Sequence, residues 1–204
     1  LPASLGLAAM TAAAPTSSRG PLLSLPTLTT LLLITALAAA PHAPRLPAWL
    51  LVLAVGCGLW RYWAARRGER LPPGWLRTLL TVGAAAGIYL EHGSLLGRDP
   101  GTALLVAMAA LKLLEMRQRR DVHVLMYLGY LLAATQFLYD QSIGMIVYLA
   151  LTGWALTVLL MVAHQARPPA NPWRHAHLAT TLLLQAIPVM LILFVFFPRV
   201  AVTR

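Results

Sequence analysis

The sequence predicts an all-α fold, a polytopic transmembrane helical bundle of about seven spans. Three observations carry that expectation. Of the 204 residues, 59% are hydrophobic and 11% charged, and the mean hydropathy is +0.71, whereas about a quarter of the residues in soluble domains are charged. The apolar residues also fall in runs approaching the roughly 20 needed to cross a bilayer. Between the runs stand prolines, glycines and arginines, the residues that end helices and set orientation in a membrane. At about 20 residues per span the chain is filled by helices, with no room for a sizeable soluble domain.

Residues 1–21 read as a cytoplasmic, disordered N-terminal tail. They lack the basic start of a strong secretory signal, and the first residue is Leu1, with Met10 a second plausible start. Span one, near 22–40, ends at Pro41-His-Ala-Pro44, where two prolines stop a helix, while Pro26 sits in the first turns at little cost. Span two, near 46–60, is short and lies between Trp49 on one side and Trp60 and Trp63 on the other, an interfacial belt; the count falls to six if this run does not cross. The connection to Arg77 then carries Arg61, Arg66, Arg67, Arg70 and Arg77 against Glu69. Span three, near 78–96, has Gly83 and Gly87 as a small-xxx-small face for close helix packing. Beyond Arg98, Asp99 reads as the N-cap and Pro100 as the first helical residue of span four, near 100–119. Span five, near 122–138, leads through a turn at Asp140 to span six, near 143–163, with Ser142 available as its cap. A proline-rich connection to His177, with a new helix entry at Asn171-Pro172, precedes span seven, near 178–197, and residues 200–204 would begin a region on the outer side.

The fourth span is the difficult one. Its apolar part, Gly101 to Leu111, covers only about 16 Å, so the helix must run on through Lys112 and Glu115 to Arg119 or Arg120 to reach about 30 Å. Charge placement favours crossing. With a cytoplasmic N-terminus and seven spans, the arginines at 61–77, 117–120, 167 and 174 all fall inside, and between and after the spans Arg45, Arg98 and Arg199 fall outside. Removing span four would put the cluster Arg117, Arg119 and Arg120 outside. The chain therefore leaves the membrane on the outer face.

Lys112 is the single lysine, and five of the six acids lie between positions 91 and 140. On a continuous helix Lys112 and Glu115, Glu115 and Arg119, and Arg117 and Asp121 are spaced to pair. The plain reading is a juxtamembrane ion-pair cluster with a snorkelling lysine; the sharper one is a network of Lys112, Glu115, Asp121 and His123 coupling spans four and five to another element. Glu91-His92 reads as polar lining, since adjacent residues point to different sides of a helix. Cys57 is a small buried side chain with no neighbouring base. No catalytic residue, metal site or cofactor site is expected, and a net charge of +10 held in short loops speaks for lipid rather than nucleic acid.

The stretches Leu96-Gly-Arg-Asp-Pro-Gly101, Leu111-Lys-Leu-Leu-Glu115, Arg119-Arg-Asp121, Gln136 to Ser142 and Phe196-Phe-Pro-Arg199 together give the chain its resemblance. It resembles the N-terminal membrane domain of the TgpA family of transglutaminase-like bacterial inner-membrane proteins, over about residues 76–199. The resemblance implies a downstream periplasmic transglutaminase-like or cysteine-protease-like domain with a Cys, His, Asp triad as partner in the same polypeptide, and then a further transmembrane helix. No residue of that triad is carried over to this chain. The competing function is a small transporter or channel using Lys112, Glu115 and Glu91, against which stands the lack of any evident inverted repeat.

Overall fold

The computed structural model describes residues 24–69, 71–116, 119–164 and 172–196. Among these residues the chain forms seven α-helices and no strand, so the all-α expectation holds. The helices are α1 Leu25–Ala39, α2 Ala48–Arg67, α3 Gly74–His92, α4 Arg98–Glu115, α5 Arg119–Gln136, α6 Ile143–His164 and α7 Pro172–Phe196. Three stretches are long and apolar enough to cross a membrane by length and composition: Leu25–Arg45, Ala48–Arg67 and Ile143–His164. The expected tail 1–21, the exit at Pro198-Arg199 and residues 200–204 lie outside the described residues.

Several helix ends differ from the sequence expectation, each for a local reason. α1 begins at a Ser24 cap whose hydroxyl accepts from the Thr27 amide at 3.4 Å, and it does not stop at Pro41 but tightens into a 3₁₀ turn, Ala40–Arg45. A proline near the start of such a turn removes no needed donor. α2 runs seven residues beyond Trp60, through the basic segment to Arg67, because alanine and arginine are good helix formers; Gly68, at φ 66°, ends it in the left-handed conformation open to glycine. α3 starts at Gly74, four residues earlier than expected, and closes on Gly93, also at φ 66°. α7 starts at Pro172, the expected helix entry and a favourable position for proline in a first turn, six residues ahead of the apolar span.

α4 carries the largest correction. It ends at Glu115, not Arg119, and begins at Arg98 with Gly97 (φ 140°) as its N-cap, so Asp99 and Pro100 occupy the first turn rather than the cap and first helical position. Its 18 residues give about 27 Å, near the thickness of the hydrocarbon layer. Two residues gained at the N-terminal end offset half of the four lost at the C-terminal end.

α4 is also the centre of the bundle, packed against α2, α3 and α5, while α1 lies on α5 and α6, and α7 on α6. Its residues form two buried stripes at helical spacing. Ala103, Ala107, Ala110 and Leu114 meet Leu50 and Cys57 of α2 and Ala84 and Ile88 of α3. Val106, Ala109 and Leu113 meet Leu28 and Leu31 of α1 and Leu125 and Met126 of α5. Small side chains let helices approach closely, which is the main source of association where lipid is as apolar as the partner. Polar ties join the outer helices: Tyr130 to Thr157 at 2.7 Å, the Tyr148 hydroxyl to the Leu37 carbonyl at 2.7 Å, and the Trp154 indole N–H to Thr180 Oγ1 at 3.1 Å.

The two glycines of the small-xxx-small face are not equivalent. A Cβ on Gly87 would stand 3.0 Å from the Trp49 ring, whereas one on Gly83 would meet nothing within 4 Å. Gly87→Leu is therefore expected to lower stability by about 1–3 kcal/mol through overpacking, with Gly83→Leu near neutral. Thermal unfolding of the two variants in detergent measures the difference.

Candidate functional site

The charged and polar side chains gather at the two ends of the bundle. At the C-terminal end of α4, Lys112 Nζ lies 3.0 Å from Glu115 Oε2 and 3.1 Å from Asp121 Oδ1, with side-chain exposures of 19%, 54% and 11%. α4 stops here because the backbone leaves the helical region at Met116 (ψ 106°), whose side chain is buried against the α1 and α5 core. The chain reverses, and α5 starts at Arg119 with Asp121 in its first turn. A cation in the last turn of one helix and an acid in the first turn of the next each complement the helix dipole, so one lysine closes the reversal.

The spacing argument across residues 115–121 assumed one continuous helix, which the break at Met116 replaces. Arg117 lies outside the described residues, as does the Arg119 side chain, and Arg120 is exposed in the first turn of α5. His123 Nε2 stands 3.2 Å from His164 Nδ1, the rings edge to face at 4.4 Å, which ties α5 to the end of α6.

At the other end, Tyr139 in the α5–α6 connection is the centre of a second cluster. Its hydroxyl lies 2.9 Å from the Arg98 carbonyl, 3.0 Å from Asp99 Oδ1 and 2.9 Å from Thr102 Oγ1. Burial pushes this hydroxyl above its ordinary pKa, so it stays protonated and able to donate. The Arg45 and Arg98 guanidiniums each sit 4.5 Å from the ring centroid, and Arg98 Nη1 also donates to the Leu138 carbonyl at 2.9 Å. Asp140 Oδ1 accepts from the Ser142 amide at 2.8 Å, and Ser142 Oγ in turn accepts from the Met145 amide at 3.4 Å, leading into α6.

His42 packs edge-on to Tyr139 and is 1% exposed, with Nε2 2.9 Å from the Leu132 carbonyl. Its Nδ1 and the Oε1 of Gln136, one turn beyond Leu132, are buried without a protein hydrogen bond. Close by in the helix order, Trp49 Nε1 donates to Glu91 Oε2 at 2.9 Å, holding the start of α2 to the end of α3.

Sequence reasoning singled out Arg98, Asp99 and Asp140 but missed Tyr139, His42, Arg45 and Gln136. The signal for Tyr139 and Gln136 was their place in the stretch 136–142, which the structure brings against the stretch 96–101. His42 and Arg45 had no signal beyond the prolines around them. Cys57 is buried beside Ala110 and Leu114. Both ends offer charge pairing, hydrogen bonding and cation–π contact, which is the chemistry of positioning and recognition.

Comparison with known proteins agrees with the motif resemblance. A family model described as the TgpA N-terminal domain matches residues 30–202. A protein-glutamine gamma-glutamyltransferase of Pseudomonas aeruginosa is 39% identical over 169 residues, which is 83% of this chain and 25% of that protein. The chain thus spans about a quarter of the length of the curated relative it matches. No solved structure matches.

Two variants test the clusters. Tyr139→Phe keeps the ring between its guanidiniums and removes the hydroxyl; it is expected to cost about 1–2 kcal/mol, seen as a lower unfolding midpoint in detergent. Lys112→Ala leaves two carboxylates facing each other, so it should destabilise more than the Lys112→Ala, Asp121→Ala double variant, by about 1 kcal/mol or more in a double-mutant cycle.

Proposed function

The chain belongs to the TgpA N-terminal domain family, and from that premise we propose that it is a membrane-embedded anchor. In this reading it crosses the bacterial inner membrane about seven times and holds a downstream transglutaminase-like domain of the same polypeptide on the periplasmic face. The observation that carries the reading is the relation of lengths: a 39% identical transglutaminase matches four fifths of this chain with only a quarter of its own. The remainder of such a protein has room for the catalytic domain, and a Cys, His, Asp triad belongs there. The bundle supplies position, its helices tied at both ends.

Arginine placement supports the orientation. Arg61, Arg66 and Arg67 fall in the last turns of α2, and Arg120 in the first turn of α5, all at one end of the bundle. The other end carries Arg45 and Arg98, both turned onto Tyr139. A surplus of arginine on one side is the usual cytoplasmic mark. A transport path is the weaker reading. Glu91 bonds Trp49 at the end of α3 nearest the start of α4, while Lys112 and Glu115 pair at the opposite end of α4. Fourteen residues of helix, about 21 Å, separate the level of Arg98 from that of Lys112. The acids therefore do not form a continuous polar lining.

Fusions at Arg204 test orientation. Alkaline phosphatase fused there is expected to be active and green fluorescent protein dark; a bright fluorescent fusion with an inactive phosphatase would reverse the proposed topology.

A further inference from the structure

Between α1 and α2, with α4 as its floor, runs a groove of about 590 Å³. Its walls include Thr29 and Leu33 of α1, Val55, Gly58 and Tyr62 of α2, and Leu113 of α4. Apart from a few hydroxyls the lining is aliphatic. Along α1 it extends from Thr29 to Ala43, about 21 Å, roughly two thirds of a bilayer's hydrocarbon thickness. Its volume is that of a small-molecule site, in the range of about 300–1,000 Å³.

The groove ends at Tyr62 in a concentration of positive charge. Arg66 follows Tyr62 by one helical turn, and its guanidinium lies 5.1 Å from the Tyr62 ring centroid. Arg61 follows Gly58 by three residues, and its Nε is buried with no hydrogen-bond partner. A guanidinium donor buried without an acceptor costs free energy, which an anionic oxygen would recover. Of the carboxylates at this end, Glu115 and Asp121 are already bridged by Lys112, and the exposed Glu69 lies beyond Gly68, outside α2. Neither arginine lines the groove itself: Arg66 covers the Tyr62 ring at its end and Arg61 lies three residues beyond Gly58, at the level where the proposed topology puts the inner-leaflet headgroups.

We propose that this groove holds one anionic phospholipid, an acyl chain lying between α1, α2 and α4 and the phosphate received by Arg61 and Arg66. Such a lipid fills a gap that direct contact between α1 and α2 leaves open. Basic pockets between helices on the cytoplasmic side recognise anionic headgroups by the same chemistry. The proposal rests on the membrane-spanning reading given above.

Gly58 provides the test on the acyl side. A Cβ there meets nothing within 4 Å, so Gly58→Leu projects into the groove without disturbing its neighbours. The full-length protein would be purified in mild detergent with equal amounts of phosphatidylglycerol and phosphatidylcholine, and bound lipid counted by native mass spectrometry. The wild type is expected to retain phosphatidylglycerol preferentially. Arg61→Gln with Arg66→Gln should reduce that preference by about twenty-five-fold, about fivefold per arginine, and Gly58→Leu should remove the bound lipid of both kinds. Equal retention of the two lipids by the wild type, or unchanged phosphatidylglycerol in Gly58→Leu, overturns the site. Membrane fractionation of the same cells separates the two readings. Protein recovered with membranes but without the preference refutes the lipid site alone, and protein recovered as soluble refutes the membrane reading and the site with it.

Discussion

α4 has buried neighbours on two faces, and alanines at 103, 107, 109 and 110 keep it thin enough for both. In a lipid surround, helices gain little by hiding apolar surface from one another and depend on close contact instead. A helix of leucines would hold α2 and α3 further from α1 and α5. The alanine stripes let α4 act as a shared wall, with the α2, α3 side closing on Leu50 and Ile88 and the α1, α5 side on Leu31 and Leu125. They also explain why α4 lacks the hydropathy of a lipid-facing helix, since its surroundings are mostly protein.

That interior position sets the demand at its C-terminal end. A lysine on a central helix cannot simply face water, and Lys112 is 19% exposed. Two carboxylates meet it, one from its own helix and one from the next, so the same contacts that neutralise the charge also fix where α5 departs. Removing one partner of such a group leaves an uncompensated charge, which costs more than the pair itself contributes. The reversal at Met116 and the pairing of Lys112 are in this sense one structural event: the short connection brings Asp121 back to Lys112, and Lys112 makes the short connection stable.

The sequence was informative where a single segment decides the outcome. Runs of apolar residues between Pro41, the arginines at 61–77, Asp140 and the prolines at 168–172 mark out the helices, because each break removes a donor, adds charge or permits a turn locally. Helix ends were less legible, since Arg66 and Arg67 read equally as loop or as the last turn of a helix, and only Gly68 resolves the choice. The Met116 break has no glycine or proline to announce it; it depends on a partner five residues further on. Tyr139 was hidden for a different reason. Its contacts come from residues 37 to 97 positions away, and no periodicity within one helix records them.

The two ends of the bundle are built differently, and the difference fits an anchor. At the Tyr139 end the arginines are consumed internally: Arg98 holds the Leu138 carbonyl, and both Arg45 and Arg98 cover the Tyr139 ring. Their hydrogen bonds and ring contacts join the 3₁₀ turn after α1, the start of α4 and the end of α5 into one rigid corner. At the opposite end Arg66 and Arg67, exposed as Arg45 and Arg98 are, rest only on Tyr62 and Trp63 of their own helix, and Arg61 keeps a buried donor without an acceptor. Charge that is spent within the protein stiffens it, whereas charge left over must be met from outside. On the proposed topology the stiff corner faces the periplasm, where a catalytic domain would need a fixed base, and the unspent arginines face the anionic inner leaflet, which can supply their counter-charges.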